Sequence, residues 1–456
     1  MTGSQQSTVD SPASQVTRHT SRAGLRVAVI GGGWAGMAAA VELASAEAGV
    51  VVFEAARVLG GRARRVEADS VRLDNGLHIL LGAYTQTLRL IETVRPRAEP
   101  LGLRRLALAL RVEPDFRLRT LPLPAPLHLA VALAAARGLS PKEKLAAARF
   151  ILGRKRHAFR CDATQTVTQL LSMHAQPEKV RRSLWEPLCV AALNTRPEQA
   201  SAQVFLNVLR DSLAASRAAS DLLLPTTDFS ALFPERARTF VESRRGLVRL
   251  GTTARHVERA GPGFAVDGEP GFTHVVVAVG PHRLESLGGA PAALEPALAL
   301  VRRFEYRPIY SVYLQYPART TLPAPMIGLT GSLAHWAFDR GKLCAQPGMV
   351  GVVISGDGPH EALSHDALAA RVHAELSARW PALPAPRWHR VIAEKRATFA
   401  CVPGLARPPN RTPVPGFFLA GDYTDPEYPA TLESAVRSGV AAARLVLEDT
   451  DAMGLP

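Results

Sequence analysis

Short apolar runs flank a helical stretch near the start of the chain. Val27–Ile30 is an apolar run typical of a strand, an alanine-rich helical stretch follows from Met37 to Ala46, and Val50–Phe53 repeats the strand pattern. Gly49 ends the helical stretch. Two such strands joined through one helix predict a β–α–β unit with parallel strands.

Further along the chain, the apolar pattern changes twice. Pro- and Leu-rich residues from Leu118 to Pro126 lead into a region from Leu127 to Ser220 where helical patterns dominate, and short strands return from Gly246 to Gly280. The later predicted elements are strands at Phe264–Val266, His274–Val279, Ile309–Tyr316, Met349–Ser355 and Phe417–Ala420, and helices at His365–Arg379 and Thr431–Glu448. The pattern therefore predicts mixed α/β architecture with a helix-rich middle region.

Composition and charge narrow the classes of protein. The chain has 54 Lys and Arg against 40 Asp and Glu, a net charge of +14, and nearly all of the cations are Arg. These arginines look scattered, without a long basic block or interleaved aromatic residues, so we expect no nucleic-acid partner. The four cysteines are isolated, which argues against a zinc site or a disulfide framework and suits a reducing cytoplasm.

The segments that bear on location are the first residues and one apolar stretch. Residues 1–23 are rich in Ser, Thr and Gln and are predicted to be a disordered tail, not a signal peptide. No run approaches the ~18 apolar residues that span a bilayer, so we expect a cytoplasmic protein, soluble or peripheral on the inner membrane face. Leu118–Ala136 is the candidate for shallow membrane docking; the alternative is a buried helix.

The first motif that carries chemistry is a glycine-rich turn between the first strand and helix. Gly31 permits the tight turn, Gly33 lets the backbone approach a pyrophosphate, and Gly36 lets the helix pack on the strand. Glu54, at the end of the second strand and 18 residues past Gly36, is expected to accept hydrogen bonds from a ribose. Trp34 and Ala35 complete the predicted cofactor loop, whose helix N-terminus faces the phosphates.

Two further motifs separate FAD from NAD. Gly60 and Gly61 are followed by Arg62, which gives close backbone approach and a cation at a diphosphate. Gly421 and Asp422 follow the strand at Phe417–Ala420. The glycine pair in this register resembles the second signature of the flavoprotein superfamily of amine oxidases and carotenoid desaturases, in which a C-terminal Gly-Asp lies by the ribityl chain and pyrophosphate.

Three longer stretches are similar to a narrower group, the squalene-associated FAD-dependent desaturases, understood as hydroxysqualene dehydroxylases. The stretches are Asp74–Tyr84, Leu184–Thr195 and Gly421–Gly439, and the similarity runs from about Leu25 to Leu447. The Asp-x-Gly-x-His and Tyr-Pro-Ala-Thr sequences are shared mainly with carotenoid desaturases. By this resemblance FAD is also expected to contact Gly76, Leu77, His78, Ala254, Thr431 and Leu432. The helix that begins near Thr431 would aim its N-terminus at the flavin, where negative charge develops on reduction.

The resemblance also implies the domain organisation. The expected fold is α/β, with a discontinuous Rossmann-type FAD-binding domain and an inserted α+β substrate domain, as in amine oxidases and phytoene desaturases. Residues 24–95, 240–285 and 410–447 are assigned to the FAD-binding domain. Residues 96–239 and 286–409 are assigned to the substrate domain with its helical subdomain.

The implied reaction is reductive removal of an allylic hydroxyl from hydroxysqualene, an apolar isoprenoid. Because hydroxide is a poor leaving group, an acid should protonate it as it departs. The candidates are His78, Asp74, Tyr84 and Tyr428, each with a structural alternative: His78 could bond the loop backbone, Asp74 could cap the Asn75–Gly76 turn, and the two tyrosines could be wall residues. No metal is expected, and the sequence identifies no electron donor.

One rival interpretation stays open, and two others fit the sequence less well. A carotenoid-type desaturase would run the same fold oxidatively, and the sequence hardly separates it from a dehydroxylase. An amine oxidase is less compatible, because those enzymes frame the flavin with two aromatic residues and here the corresponding positions are Tyr428 and Thr431. A binding module without catalysis would lose the FAD motifs, which are all present.

Overall fold

The computed structural model describes residues 24–68, 71–289 and 291–452, so the predicted tail at 1–23 lies outside the described part. The strands are β1 Arg26–Ile30, β2 Gly49–Glu54, β3 Arg65–Ala68, β4 Val71–Asp74, β5 Leu80–Leu81, β6 Leu103–Leu106, β7 Ala109–Glu113, β8 Phe116–Arg119, β9 Leu222–Pro225, β10 Leu247–Leu250, β11 Val257–Ala260, β12 Gly263–Val266, β13 Glu269–Phe272, β14 His274–Val277, β15 Tyr306–Gln315, β16 Met326–Leu329, β17 Trp336–Asp339, β18 Met349–Ser355, β19 Trp388–Phe399 and β20 Phe417–Leu419.

The helices complete the description of the chain. They are α1 Trp34–Ser45, α2 Thr85–Val94, α3 Leu127–Ala134, α4 Pro141–Arg156, α5 Val167–Met173, α6 Glu178–Val180, α7 Glu186–Leu193, α8 Ala202–Leu209, α9 Phe229–Leu232, α10 Pro234–Glu242, α11 Pro291–Val301, α12 Arg340–Cys344, α13 His365–Arg379 and α14 Leu432–Ala452. Single π-helical turns occur at Arg181–Trp185 and Arg210–Ala214, and 3₁₀ turns at Ala218–Ser220, Pro281–Ser286 and Pro359–Ala362.

A five-stranded parallel sheet forms the centre of the first unit, in the order β10-β2-β1-β14-β20. Its strands come from the N-terminal, middle and C-terminal parts of the chain, and all lie within the segments predicted for the FAD-binding domain. The limits of that domain stay a prediction. Helices α1 and α14 approach closely: a Cβ at Gly439 would lie 2.1 Å from the carbonyl oxygen of Ala35, so only glycine fits there.

A seven-stranded sheet in the order β19-β15-β18-β17-β16-β7-β8 forms the second unit. Strands β7 and β8 precede the helix-rich region while β15–β19 follow it, and β7 joins the later strands by parallel pairing of Gly328 with Val112. The two predicted substrate-domain segments therefore contribute to one sheet. Helices α3–α8 pack around a separate apolar core that includes Phe150, Trp185 and Phe205.

Two predicted helix starts were wrong by a few residues. Helix α1 begins at Trp34, not Met37, because Gly33 is its N-terminal cap and Gly36 already lies inside the helix. Helix α14 begins at Leu432, one residue after Thr431, whose hydroxyl accepts a hydrogen bond from the Ser434 amide at 3.2 Å and so caps the helix.

Candidate cofactor and active site

The glycine-rich loop connects β1 to α1 at the carboxyl edge of the parallel sheet. Gly31 has a φ of +112°, a conformation that favours glycine, and its amide donates to the carbonyl of Phe53 at 2.8 Å. A Cβ at Gly36 would lie 1.9 Å from the Gly31 carbonyl oxygen. At Gly33, by contrast, the nearest protein atom to such a Cβ would be Gly61 Cα at 3.8 Å. The protein therefore leaves open space at Gly33, where a pyrophosphate is expected.

Glu54 ends β2 directly beside this loop. Its carboxylate accepts hydrogen bonds from the amides of Gly32 at 2.6 Å and Ala56 at 2.8 Å. The backbone amide of Thr252 donates to the Glu54 carbonyl at 2.8 Å, which brings the loop that contains Ala254 to the same edge of the sheet. Glu54 is thus positioned by backbone contacts on both sides of the predicted adenosine site.

The second motif lies against the first one. The Gly60 amide donates to the Gly32 carbonyl at 3.0 Å, and Gly33 and Gly60 form a parallel bridge. The indole Nε1 of Trp34 donates to the carbonyl of Ala63 at 3.1 Å. Glycines from two separate loops therefore face each other across the open space.

Arg62 links the second motif to the C-terminal Gly-Asp. Its guanidinium forms an ion pair with Asp422 at 2.7 Å and donates to the carbonyl of Ala397 at 2.6 Å. Burial acts to lower the pKa of Arg62, but the Asp422 carboxylate outweighs this effect, and the pKa stays above its ordinary value. Gly421 lies against Tyr423, whose ring would be 2.3 Å from a Cβ added there.

Unpartnered buried atoms at this junction fit an FAD. The Asp422 Oδ1 and the Tyr423 hydroxyl are buried without a hydrogen-bond partner in the described residues. Buried polar atoms are rarely left unpaired, so a ligand with hydroxyl groups and phosphates is the natural complement. The open glycine loop, the Glu54 carboxylate and these orphan oxygens together fit the cofactor.

The loop at Asn75–His78, which follows β4, lies against Arg62. The side-chain amide Nδ2 of Asn75 donates to the Arg62 carbonyl at 2.9 Å and to the Glu394 carboxylate at 3.2 Å. Burial and the nearby Arg62 charge lower the pKa of His78 to about 4. Its Nε2 has no partner among the described residues, and its ring lies edge-on to Phe229 at 5.0 Å. The predicted alternative, a bond from His78 to the loop backbone, is not seen at this atom.

The other predicted residues of this loop are placed by packing. A Cβ at Gly76 would lie 3.0 Å from the His78 ring. The Leu77 side chain lies against Gly351 of β18, where a Cβ would come within 2.6 Å of it. The loop therefore fits tightly between the two sheets.

The hydrogen bonds of Asp74 indicate a structural role for this residue. Its carboxylate accepts from the Phe229 amide at 2.9 Å and lies 3.4 Å from the Arg340 guanidinium, while the Tyr313 hydroxyl donates to the Asp74 carbonyl at 2.8 Å. Burial raises the pKa of Asp74 to about 6, against the opposing effect of Arg340. The structural alternative, in which Asp74 caps the Asn75–Gly76 turn, was therefore wrong. The Asp74 carboxylate, at the end of β4, bonds α9 instead, which is remote in the sequence.

Tyr84 lies beside the C-terminal motif. Its buried hydroxyl hydrogen-bonds the side chain of Thr431, and burial, with the nearby Glu433, raises the pKa of Tyr84 above its ordinary value. Glu433 in turn accepts from Thr87 at 2.9 Å and 2.7 Å. Leu432 packs against the apolar core of the parallel sheet.

Tyr428 has a carboxylate partner that the sequence did not suggest. Its hydroxyl donates to Asp211 in a short hydrogen bond, and Arg437 lies over its ring at 4.3 Å. Asp211 belongs to the π-helical turn Arg210–Ala214, and such turns are frequent at functional sites. The Arg210 guanidinium also bonds Asp211 at 2.6 Å.

The structure thus groups the predicted cofactor residues and separates the predicted acids. The residues from Gly31 to Arg62 meet Gly421 and Asp422, and the Asn75–His78 loop joins them through Arg62. Asp74 faces away toward Arg340. The residues missed from the sequence are Asp211, Phe229, Arg340 and Glu394; each is an ordinary charged or aromatic residue without a local motif.

Comparisons with known proteins agree with this geometry. Residues 34–447 match the family described as flavin containing amine oxidoreductase. The chain is 30% identical to a hydroxysqualene dehydroxylase of Rhodopseudomonas palustris over 92% of this chain and 98% of the relative. It is 25% identical to a zeta-carotene desaturase of Synechocystis sp. over 93% and 97% of the two chains. A solved putrescine oxidase variant superimposes with a TM-score of 0.69 at 17% identity, covering 93% of this chain and 99% of that one, which supports the fold.

Proposed function

Because the chain belongs to the flavin-containing amine oxidoreductases and, among them, to the hydroxysqualene dehydroxylases, we propose that it converts hydroxysqualene to squalene. The enzyme is an FAD-dependent oxidoreductase. In the proposed reaction the allylic C–O bond breaks, a C–H bond forms, and the hydroxyl leaves with a proton as water. FAD, when bound in its reduced form, supplies the hydride and is oxidised. The observation that carries this proposal is similarity to the dehydroxylase along nearly the whole of both chains.

The residues of this chain would hold the cofactor in three places. The open loop at Gly33 and Gly61 would receive the diphosphate, with Glu54 on the adenosine ribose. Asp422, held by Arg62, would use its unpartnered Oδ1 to accept a hydrogen bond from a cofactor hydroxyl. The N-terminus of α14, capped by Thr431, would stabilise negative charge on the flavin.

Among the four candidate acids, Tyr428 is the one we favour. His78 is held neutral by burial and by Arg62, and Asp74 is already bonded to Phe229 and Arg340. The Tyr428 hydroxyl donates a hydrogen bond to Asp211, whose carboxylate fixes the orientation of the phenol; once Tyr428 has given up its proton, solvent would restore it. The O–H of a phenol is a hydrogen-bond donor that can act as a general acid.

The test of the reaction uses purified protein with two substrates. Hydroxysqualene with a flavin reductant should give squalene, detected by mass spectrometry, whereas phytoene with an oxidant should give no desaturated product. Desaturation of phytoene without formation of squalene would instead support a carotenoid desaturase, the alternative favoured by the similarity to zeta-carotene desaturase.

The test of the proton donor is Tyr428→Phe, with Tyr84→Phe as the matched control. Loss of a general acid should lower kcat by about 10²- to 10⁴-fold with flavin content unchanged. Tyr84→Phe removes a hydroxyl that bonds Thr431 in the same C-terminal stretch and should leave kcat within a few-fold of wild type. Wild-type turnover in Tyr428→Phe, or an equal loss in both variants, would reject Tyr428 as the donor.

We also propose that the protein works at a membrane surface, since the proposed substrate and product are water-insoluble isoprenoids. Within the described parts of the chain, no helix has the length and apolarity that crossing a bilayer requires. Contact would therefore have to come from side chains on the protein surface.

A further inference from the structure

The net charge of the protein is concentrated in one segment. Between Phe116 and Arg160 the sequence has ten Lys and Arg residues and a single acidic residue, Glu143. Ten cations and one anion leave +9 in this segment, out of +14 for the whole chain. The arginines are scattered along the whole chain without a long basic block, but the excess of cations over anions is greatest in this segment.

The same segment carries most of the exposed large apolar side chains. Within the described residues eight such side chains are strongly exposed, and five of them belong to this segment, at 37–59% exposure: Leu121, Leu127, Val131, Leu145 and Leu152. Apolar side chains gathered in this way mark an interaction surface, whereas single exposed ones do not.

The apolar and basic residues share one face of α4. Lys142, Leu145, Arg149, Leu152 and Arg156 are all exposed and follow one another at intervals of three or four residues. This spacing places them on one side of a helix, with leucines between cations. Leucines exposed on such a face can enter the acyl boundary of an anionic bilayer while the long side chains of the neighbouring cations reach the headgroups.

Helix α3 lies next to α4, and it and the chain before it carry further exposed apolar side chains. Leu127 and Val131 are four residues apart on α3, and the Lys144 ammonium of α4 donates to the carbonyl of Ala134 at the end of α3 at 2.7 Å. Leu121 lies in the Pro-rich turn between β8 and α3. We call the exposed residues Leu121, Leu127, Val131, Leu145 and Leu152, with Arg137, Lys142, Arg149, Lys155 and Arg156, the basic–apolar face.

A cavity of about 320 Å³ lies next to this face and has arginines around it. Arg117 and Arg137 are paired through both backbone hydrogen bonds, at 3.2 Å and 2.9 Å, and Arg119 follows on the same side of the edge strand β8. No carboxylate in the described residues pairs with these three side chains. Like charges at paired positions repel each other, so an anion at the cavity mouth would stabilise them.

We propose that the basic–apolar face docks the protein onto an anionic lipid bilayer, with headgroups at Arg117, Arg119 and Arg137. The inference rests on the proposed function only for its purpose, which is access to a lipid-soluble substrate; its evidence is the charge and exposure of these residues. A nucleic acid is a poorer match because its phosphate backbone offers no apolar surface to the leucines that lie between the cations. A second copy of the chain is disfavoured because its own segment of charge +9 would repel this one.

The experiment is co-sedimentation of the full-length holoprotein with sucrose-loaded vesicles, which needs no substrate. Vesicles of phosphatidylcholine with phosphatidylglycerol should bind the protein, and vesicles of phosphatidylcholine alone should bind it far more weakly. Each Lys or Arg near an anionic bilayer contributes about a fivefold gain in partitioning, so Arg149→Gln, Lys155→Gln and Arg156→Gln together should lower the partition coefficient about 100-fold. Binding should also weaken at high salt.

Matched controls distinguish vesicle binding by this face from nonspecific electrostatic and hydrophobic adsorption. Arg303→Gln, Arg319→Gln and Arg390→Gln remove the same charge from exposed arginines outside the segment and should lower binding by less than fivefold. Leu127→Ser with Leu152→Ser should abolish most vesicle binding, whereas Met173→Ser with Leu247→Ser, at exposed sites elsewhere, should not.

Four results would overturn the proposal. The first is no binding to anionic vesicles, and the second is equal loss in the face and control variants. The third is binding that the leucine variants leave intact and that heparin competes away, which would indicate a polyanion site. Loss of a dimer in the leucine variants, seen by size-exclusion chromatography without vesicles, would also reject docking in favour of self-association. Flavin content should be unchanged in every variant, so failure here leaves the proposed reaction untouched.

Discussion

Gly33 allows the cofactor site to be perturbed without disturbing the protein that forms it. A Cβ at Gly33 would have no described protein atom nearer than 3.8 Å, so the folded apoprotein has room for alanine. The main penalty to folding is the loss of glycine as the helix cap, about 0.5–1 kcal/mol. The added methyl group instead occupies the space between Gly33 and Gly61 in which the diphosphate is expected.

The expected effect on FAD binding follows from this geometry. Forcing an extra group into a well-packed contact typically costs about 1–3 kcal/mol. Since about 1.4 kcal/mol corresponds to a factor of ten, Gly33→Ala should weaken FAD binding about 5- to 150-fold. Gly33→Val, with two more methyl groups at the same place, should lie at or beyond the upper end of that range.

Two other glycines provide the comparison. Gly36→Ala would place a Cβ 1.9 Å from the Gly31 carbonyl oxygen, a backbone atom, so it should destabilise the apoprotein by about 3 kcal/mol or more. Gly153→Ala, in α4, meets nothing within 4 Å and should gain up to about 1 kcal/mol from helix propensity. Thermal unfolding of apoprotein and titration with FAD, followed by flavin fluorescence, measure the two effects separately.

The contrast between the variants is what tests the assignment. Gly33→Ala should lose affinity with little loss of melting temperature, Gly36→Ala should lose both, and Gly153→Ala should lose neither. Wild-type FAD affinity in Gly33→Val would refute the placement of the diphosphate. Unfolding of Gly33→Ala to the same extent as Gly36→Ala would show that the space at Gly33 is not open.

Three further outcomes are expected. Glu54→Gln should weaken FAD binding about 10- to 150-fold in a fluorescence titration without unfolding the protein, because a charge-assisted hydrogen bond contributes about 1.5–3 kcal/mol; unchanged flavin after dialysis would count against the role. Acid precipitation should release all flavin, because the sequence has no Cys or His between Gly421 and Ser434; colour left in the pellet would contradict this. The pKa of His78 is about 4 in the fold and near 6.5 when unfolded, so the unfolded chain takes up the proton first and apoprotein stability falls as the pH drops from 6.5 toward 4. His78→Gln should remove this part of the acid sensitivity, seen as a melting-temperature difference from wild type that changes with pH; a constant difference would contradict it.

Elements with strong local signals were predicted well from the sequence. The predicted strand Met349–Ser355 and helix His365–Arg379 have the bounds found for β18 and α13. For α13 the reason is local: the Ser364 hydroxyl accepts from the Ala367 amide at 3.2 Å to start the helix, and Pro381 follows shortly after its end. The start of α1 was missed because Trp34 and Gly36 look like loop residues until Gly36 is seen packed on Gly31.

Partners that are far apart in the sequence could not be predicted in this way. Arg62 and Asp422 were each expected at the cofactor, but their ion pair joins positions 360 residues apart. Asp211 lies 217 residues before Tyr428, in a π-helical turn that the hydrophobic periodicity of the sequence does not predict. A sequence motif reflects the requirements of one local segment. These contacts instead depend on how the substrate-domain segments pack against the parallel sheet in the folded protein.

The acid–base properties of the site depend on the same packing of the substrate-domain segments against the parallel sheet. Asp74 and His78 are four residues apart, at the end of β4 and in the loop that follows it. Burial shifts both pKa values in the direction that favours the uncharged side chain: it raises the pKa of Asp74 to about 6 and lowers that of His78 to about 4. Desolvation by Phe229, Tyr313 and the rest of the inserted unit disfavours either charge in this loop. The neutral His78 ring is therefore suited to form part of an uncharged wall for an apolar substrate, whereas Asp74 lies against the Arg340 guanidinium. The proton for the departing hydroxyl, which we propose comes from Tyr428, lies in a hydrogen bond to the Asp211 carboxylate.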